Sequence, residues 1–139
     1  MENLKELNLN SNSITSLEEN AFNGLGRLEV LILSSNRLNA LENLIFTYLG
    51  QLKEIDLSSN YLSSVHADTF GNLGLLERLD LSNNQIREID PNAFIGSCNI
   101  KDVVLDSNPI ASTFRFTRDM CSLRPKYFID LLTISFNSH

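Results

Sequence analysis

Five stretches of the chain repeat one another: LKELNLNSNSI from Leu4, LEVLILSSNRL from Leu28, LKEIDLSSNYL from Leu52, LERLDLSNNQI from Leu76 and IKDVVLDSNPI from Ile100. Each begins 24 residues after the one before it. A fixed period of this length excludes a fold built round one central core. It demands stacked supersecondary units, each in contact only with its neighbours. At 139 residues the length suits about one domain, and the repeats organise residues 1–139 as a single array.

Within each unit two apolar residues alternate with polar ones: Leu7 and Leu9, Leu31 and Leu33, Ile55 and Leu57, Leu79 and Leu81, Val103 and Leu105. Period-2 alternation is the signature of a strand with one buried face, so one short strand per unit builds a parallel sheet. Further apolar positions follow: Ile14, Leu17, Phe22 and Leu25 in the first unit, Leu38, Leu41, Phe46 and Leu49 in the second, Leu62, Val65, Phe70 and Leu73 in the third. They must enter the same interior. Each repeat is therefore one flattened coil that buries its apolar residues against the next. Where apolar alternation would continue, an asparagine stands instead: Asn12, Asn36, Asn60, Asn84 and Asn108. At the strand exit, backbone groups lose ladder partners while remaining buried, which is costly. An amide that both donates and accepts can satisfy them, so these five residues are expected to form a structural ladder between coils. None of the five begins an N-x-S/T acceptor, and Asn108 precedes Pro109.

The unit reads L-x-x-L-x-L-x-x-N-x-L, and over nearly the whole chain it resembles the leucine-rich repeat family. The resemblance implies an α/β solenoid, a horseshoe with a parallel β-sheet on its concave face and an irregular or short-helical convex side. Twenty-four residues with phenylalanine at position 19 (Phe22, Phe46, Phe70, Phe94) is similar to the repeats of animal extracellular proteins of the Toll-type receptor, chaoptin-like and Slit-like kinds. That subtype implies the ligand-recognition part of an extracellular or cell-surface receptor or adhesion protein. The alternatives are a self-associating adhesive array and a cytosolic scaffold or enzyme inhibitor.

The tail adds a partial sixth repeat from Ile129, with Leu132, Ile134 and Asn137 in the repeat positions. Repeat five then runs from Ile100 to Phe128, 29 residues, with an insertion of five within ASTFRFTRDMCSLRPKYF. No polar capping repeat or C-x-C end-cap pattern is visible, so the expectation is a piece of a longer array whose uncapped ends favour self-association. MENLKELNLN has neither the basic start nor the apolar stretch of a signal peptide, and no apolar run of about 18 residues offers a membrane span. Cys98 takes position 23 of repeat four and Cys121 position 22 of repeat five. Two readings stand. One is a disulfide between adjacent coils, which requires a Cα separation of roughly 4.4 to 6.8 Å; the other is a pair of free cysteines, small core residues. No histidine or further cysteine lies at metal-ligand spacing.

Catalysis and cofactors find no support. His66 and His139 lack a serine or cysteine partner that the repeat geometry would bring close, and there is no glycine-rich phosphate loop. A net charge of −6 disfavours nucleic acid, whose binding rests on cationic contacts to phosphate. The exposed sheet face remains. Position three reads Glu6, Val30, Glu54, Arg78, Asp102, and position five reads Asn8, Ile32, Asp56, Asp80, Val104. With Asp106 at position seven this face carries six acids against one arginine, with an apolar patch at Val30 and Ile32 beside Glu54, Asp56 and Asp80. These rows are the candidate surface for a protein partner, and their acidity favours one with a basic surface.

Overall fold

The structure, a computed structural model, describes residues 2–122. The expected sixth repeat lies outside the described residues. Strands β1 (Glu6–Asn8), β2 (Val30–Ile32), β3 (Glu54–Asp56), β5 (Arg78–Asp80) and β7 (Asp102–Val104) form one five-stranded sheet in the order β1-β2-β3-β5-β7. All pairs are parallel, and their register joins residues one repeat apart, Glu6 to Val30 to Glu54 to Arg78 to Asp102. The two remaining strands, β4 (Ser64–Val65) and β6 (Glu88–Ile89), pair in a second small sheet between coils three and four. Between the strands the coils run through tight turns. Among the described residues the helical segments are two 3-10 turns, Pro109–Ser112 and Arg118–Cys121. The chain is therefore a leucine-rich horseshoe segment with a parallel sheet on one side and an irregular side opposite.

The alternation seen in the sequence places Leu31, Ile55 and Leu79 wholly inside, while their strand neighbours face out. Leu7 and Val103, in the outermost described coils, are half-buried and pack against the core from its ends. A second row runs through position 19. Phe22, Phe46, Phe70 and Phe94 stack with centroids 6.0, 5.7 and 6.0 Å apart and planes within 22° of parallel. Offset stacks of this kind add about 0.5 to 1.5 kcal/mol per pair beyond the area buried. The row is closed by the insertion of repeat five, where Phe116 meets Phe94 edge-on at 5.3 Å and Phe114 lies at 6.4 Å.

At each strand exit the residue before the asparagine takes a left-handed backbone: Ser11, Ser35, Ser59, Asn83 and Ser107 have φ between 55° and 59°. Short polar side chains tolerate that region better than branched or bulky ones. The turn aims the next amide inward. The Asn60 Nδ2 donates to the carbonyls of Leu57 at 3.1 Å and Ser58 at 3.2 Å in its own coil and of Leu33 at 3.0 Å in the preceding one. Its Oδ1 accepts from the N–H of Leu38 at 3.0 Å. Asn36, Asn84 and Asn108 repeat the arrangement. Asn12 is exposed and bonds only within its own coil, to the carbonyls of Leu9 and Asn10.

That contrast is a test. Asn60→Ala leaves the buried Leu38 N–H without its acceptor and takes one of two amide donors from the buried Leu33 and Leu57 carbonyls, and should cost about 1 to 3 kcal/mol. Asn12→Ala should cost less than about 0.5 kcal/mol, the usual range at exposed positions. Urea midpoints measure both, and equal costs would contradict the inter-coil role.

Candidate protein-binding surface

On the outward face of the main sheet, Glu6, Asn8, Arg78 and Asp102 are exposed, while Val30, Ile32, Glu54, Asp56, Asp80 and Val104 are half-buried among neighbouring side chains. The register brings the ten residues together as two parallel rows, one through position three and one through position five. The acids among them do not share one state. Arg78 stands fourth in the first row, its Nη1 3.5 Å from Glu54 Oε1 and its Nη2 3.6 Å from Asp80 Oδ2.

Two of the aspartates also build the backbone. Asp80 Oδ1 accepts from the N–H of Ser82 at 3.0 Å and its hydroxyl at 2.6 Å, and Asp56 Oδ1 accepts from the same groups of Ser58 at 2.9 and 2.6 Å. In the first coil Asn8 plays that part toward the N–H of Asn10. These are Asx turns that shape the strand exit. Among the described residues Glu6, Asp56, Asp102 and Asp106 enter no ion pair; Asp56 is engaged in its turn, so the acids free of both ties lie at the two ends of the sheet. The apolar patch of Val30 and Ile32 sits between Glu6 and Glu54.

A charged row missed from the sequence borders this face. Position two reads Lys5, Glu29, Lys53, Glu77, Lys101, alternating in sign along the array. Glu29 bridges Lys5 at 3.8 Å and Lys53 at 3.1 Å, and Glu77 binds Lys101 at 2.8 Å. The hydrogen bond from Lys101, then its charge, hold the Glu77 carboxyl below its ordinary value; slight desolvation opposes this, and the charge of Lys53 adds to the lowering. Alternation at a single repeat position was the available signal.

Cys98 and Cys121 are bonded to each other, with Cα atoms 5.1 Å apart. The bond ties the inserted stretch of repeat five to coil four, where Arg118 Nη1 donates to the Cys98 carbonyl at 2.9 Å and the Gly96 N–H donates to the Cys121 carbonyl at 2.6 Å. Gly96 has φ +88°, and a Cβ there would overlap Asn72. Beside it, Ser97 is fully buried where coils one to three carry leucine, and its hydroxyl bonds the Phe70 carbonyl and the Leu73 N–H. Among the described residues no cluster of histidine, cysteine, aspartate and glutamate has the makings of a metal site, and His66 is exposed. No helix among them is long and apolar enough to cross a membrane.

The leucine rich repeat profile matches residues 2–62 and again residues 50–110. The chain belongs to the leucine-rich repeat family. No curated protein sequence matches it. Among solved structures this leucine-rich repeat chain is similar to a chain of the glycosylated Toll–Spatzle complex, a hub of Drosophila development and innate immunity, with 27% identity and a TM-score of 0.74 over 86% of its length. It is similar also to the leucine-rich repeat domain of APL1, with 27% identity and a TM-score of 0.73 over 77% of its length. It spans 17% of the first of those chains and 28% of the second.

The division among the acids predicts unequal stability effects. Asp56→Ala and Asp80→Ala should each cost about 0.5 to 1.5 kcal/mol, the net worth of an ordinary hydrogen bond. Glu6→Ala and Asp102→Ala should stay within about 0.5 kcal/mol. Chemical denaturation of the four variants checks this, and uniform values would remove the turn-building role. For Glu77, a folded carboxyl below its unfolded value contributes stability at pH above the ordinary carboxylate range and loses it as pH falls through the folded value. The Tm difference between the parent chain and Glu77→Gln should therefore vanish on acidification, and shrink in high salt.

Proposed function

We propose that this chain is a protein-binding stretch of an extracellular receptor or adhesion protein, and that it contacts its partner through the outward face of the main sheet. The observation that carries the reading is the two-row display, in which ten side chains are held in register by a sheet whose exits are hydrogen-bonded coil to coil. A surface ordered before contact loses little conformational freedom on binding. The Val30 and Ile32 patch supplies apolar contact, and the uncompensated carboxylates of Glu6 and Asp102 favour a basic partner and steer its approach.

Two further facts support this reading. The Cys98–Cys121 bond suits an oxidising, extracellular setting. One of the similar structures is itself a complex, that of Toll with Spatzle.

A photo-crosslinking residue placed at Ile32 is expected to capture a discrete protein from extracellular fluid, while the same residue at Asn23, in the turns across the coil, captures none. Capture from position 32 should weaken when Glu6 and Asp102 become lysine, and the weakening should fade as salt rises. Equal capture at the two positions would defeat the reading. Adducts only between copies of the chain would favour an adhesive array instead.

A further inference from the structure

The irregular side of the coil is not uniformly closed. Between coils three and four it is knit by backbone bonds, with Asp68 N–H donating to Asn92 O at 3.2 Å, Phe70 N–H to Ala93 O at 3.0 Å and Asn72 N–H to Ile95 O at 2.8 Å, continuing the β4–β6 pairing. Among the described residues the equivalent bonds are made neither from Asn20, Phe22 and Gly24 toward coil two nor from Leu44, Phe46 and Tyr48 toward coil three. A cleft of about 630 Å³, in the range of ligand sites, lies between coils one and two beside the first of these gaps, lined by Leu17, Glu18 and Glu19 on one side and Glu42, Leu44 and Tyr48 on the other.

Its lining differs from the rest of this side. Leu17 and Leu44 supply apolar wall, and Tyr48 stands over it; Leu44 is 52% exposed and Tyr48 58%. At the repeat position of Leu44, coils three and four carry the polar residues Asp68 and Asn92. Leu44 has φ +61°, matching Asp68 at +62°. A leucine in the left-handed region gains nothing for the fold over an aspartate or asparagine. The rim is formed by Glu18, Glu19 and Glu42, and none of the three is paired with a cation among the described residues.

We infer that this cleft docks an extended segment of a protein partner in which lysine or arginine flanks a large apolar residue. The apolar side chain enters between Leu44 and Tyr48, and the cations meet the three carboxylates of the rim. Charge complementarity decides the occupant: an acidic segment is repelled, and the rim leaves an apolar one without partners for its carboxylates. This surface is separate from the two rows of the main sheet and stands or falls independently of them.

The test uses the full chain of residues 1–139 and, as probe, a phage-displayed random peptide library. Selected peptides should carry lysine or arginine beside leucine, phenylalanine or tyrosine. Their affinity should fall about tenfold or more for Leu44→Asn with Tyr48→Ser, and for Glu18→Lys with Glu42→Lys. It should be unchanged for Glu6→Lys with Asp102→Lys, which alter only the main sheet face. Leu44→Asn should keep or raise the Tm, because asparagine tolerates the left-handed backbone, so lost binding cannot be laid to unfolding. Selected peptides without basic residues, or affinity unchanged by the Leu44 and Tyr48 pair, would overturn the inference. A dimer in sedimentation that the same pair dissolves would also overturn it, by making a second copy the occupant.

Discussion

The amide of one asparagine per coil is the interaction on which the structure depends. A chain that turns sharply off a strand must bury peptide groups with no strand beside them, and leaving each unpaired costs about 1 to 3 kcal/mol, as much as a buried leucine contributes. Asn36, Asn60, Asn84 and Asn108 each answer carbonyls of their own coil and one of the coil before. Because the same side chain closes its own turn and grips its neighbour, coil shape and coil stacking are one property. The three-residue strands and the left-handed residue before each amide follow from it.

Short strands limit what the protein can show to a partner. With three residues per strand only two point outward, and the second of these is drawn into the turn wherever it is Asn8, Asp56 or Asp80. The outward face thus does two kinds of work with one set of residues. Its first row and its ends retain free chemistry, while its centre is held by Arg78 between Glu54 and Asp80. On the opposite side the same division appears differently: hydrogen bonds knit coils three and four, and the opening between coils one and two keeps the apolar and acidic side chains that no structural need explains.

Much of this was legible in the residues. The strands, their register, the buried leucines, the phenylalanine row and the position of the asparagines all derive from a period that depends on residue type alone. The double role of Asp56 and Asp80 was not read, although Asp-Leu-Ser at a strand exit is an Asx-turn signal; their charge drew attention away from their reach. The pairing of Cys98 with Cys121 stayed open because an insertion of unknown path separated them. The path is set by the two 3-10 turns that return Cys121 to Gly96. The convex opening was not read, although Leu44, where coils three and four carry Asp68 and Asn92, is its one mark in the sequence; its depth depends on how neighbouring coils splay, which no repeat position records.

The row of alternating charge at Lys5, Glu29, Lys53, Glu77 and Lys101 has a consequence for assembly. Coils this alike are interchangeable by shape: the leucines of one fit the next but one almost as well as the next. Their edge charges are not interchangeable. An array that skipped a coil while folding, or took one from a neighbouring molecule out of turn, would set Lys5 against Lys53 or Glu29 against Glu77. Like charges at that spacing repel where the correct order attracts. In a protein built of near-copies, the edge thus works as a parity check that distinguishes odd coils from even ones.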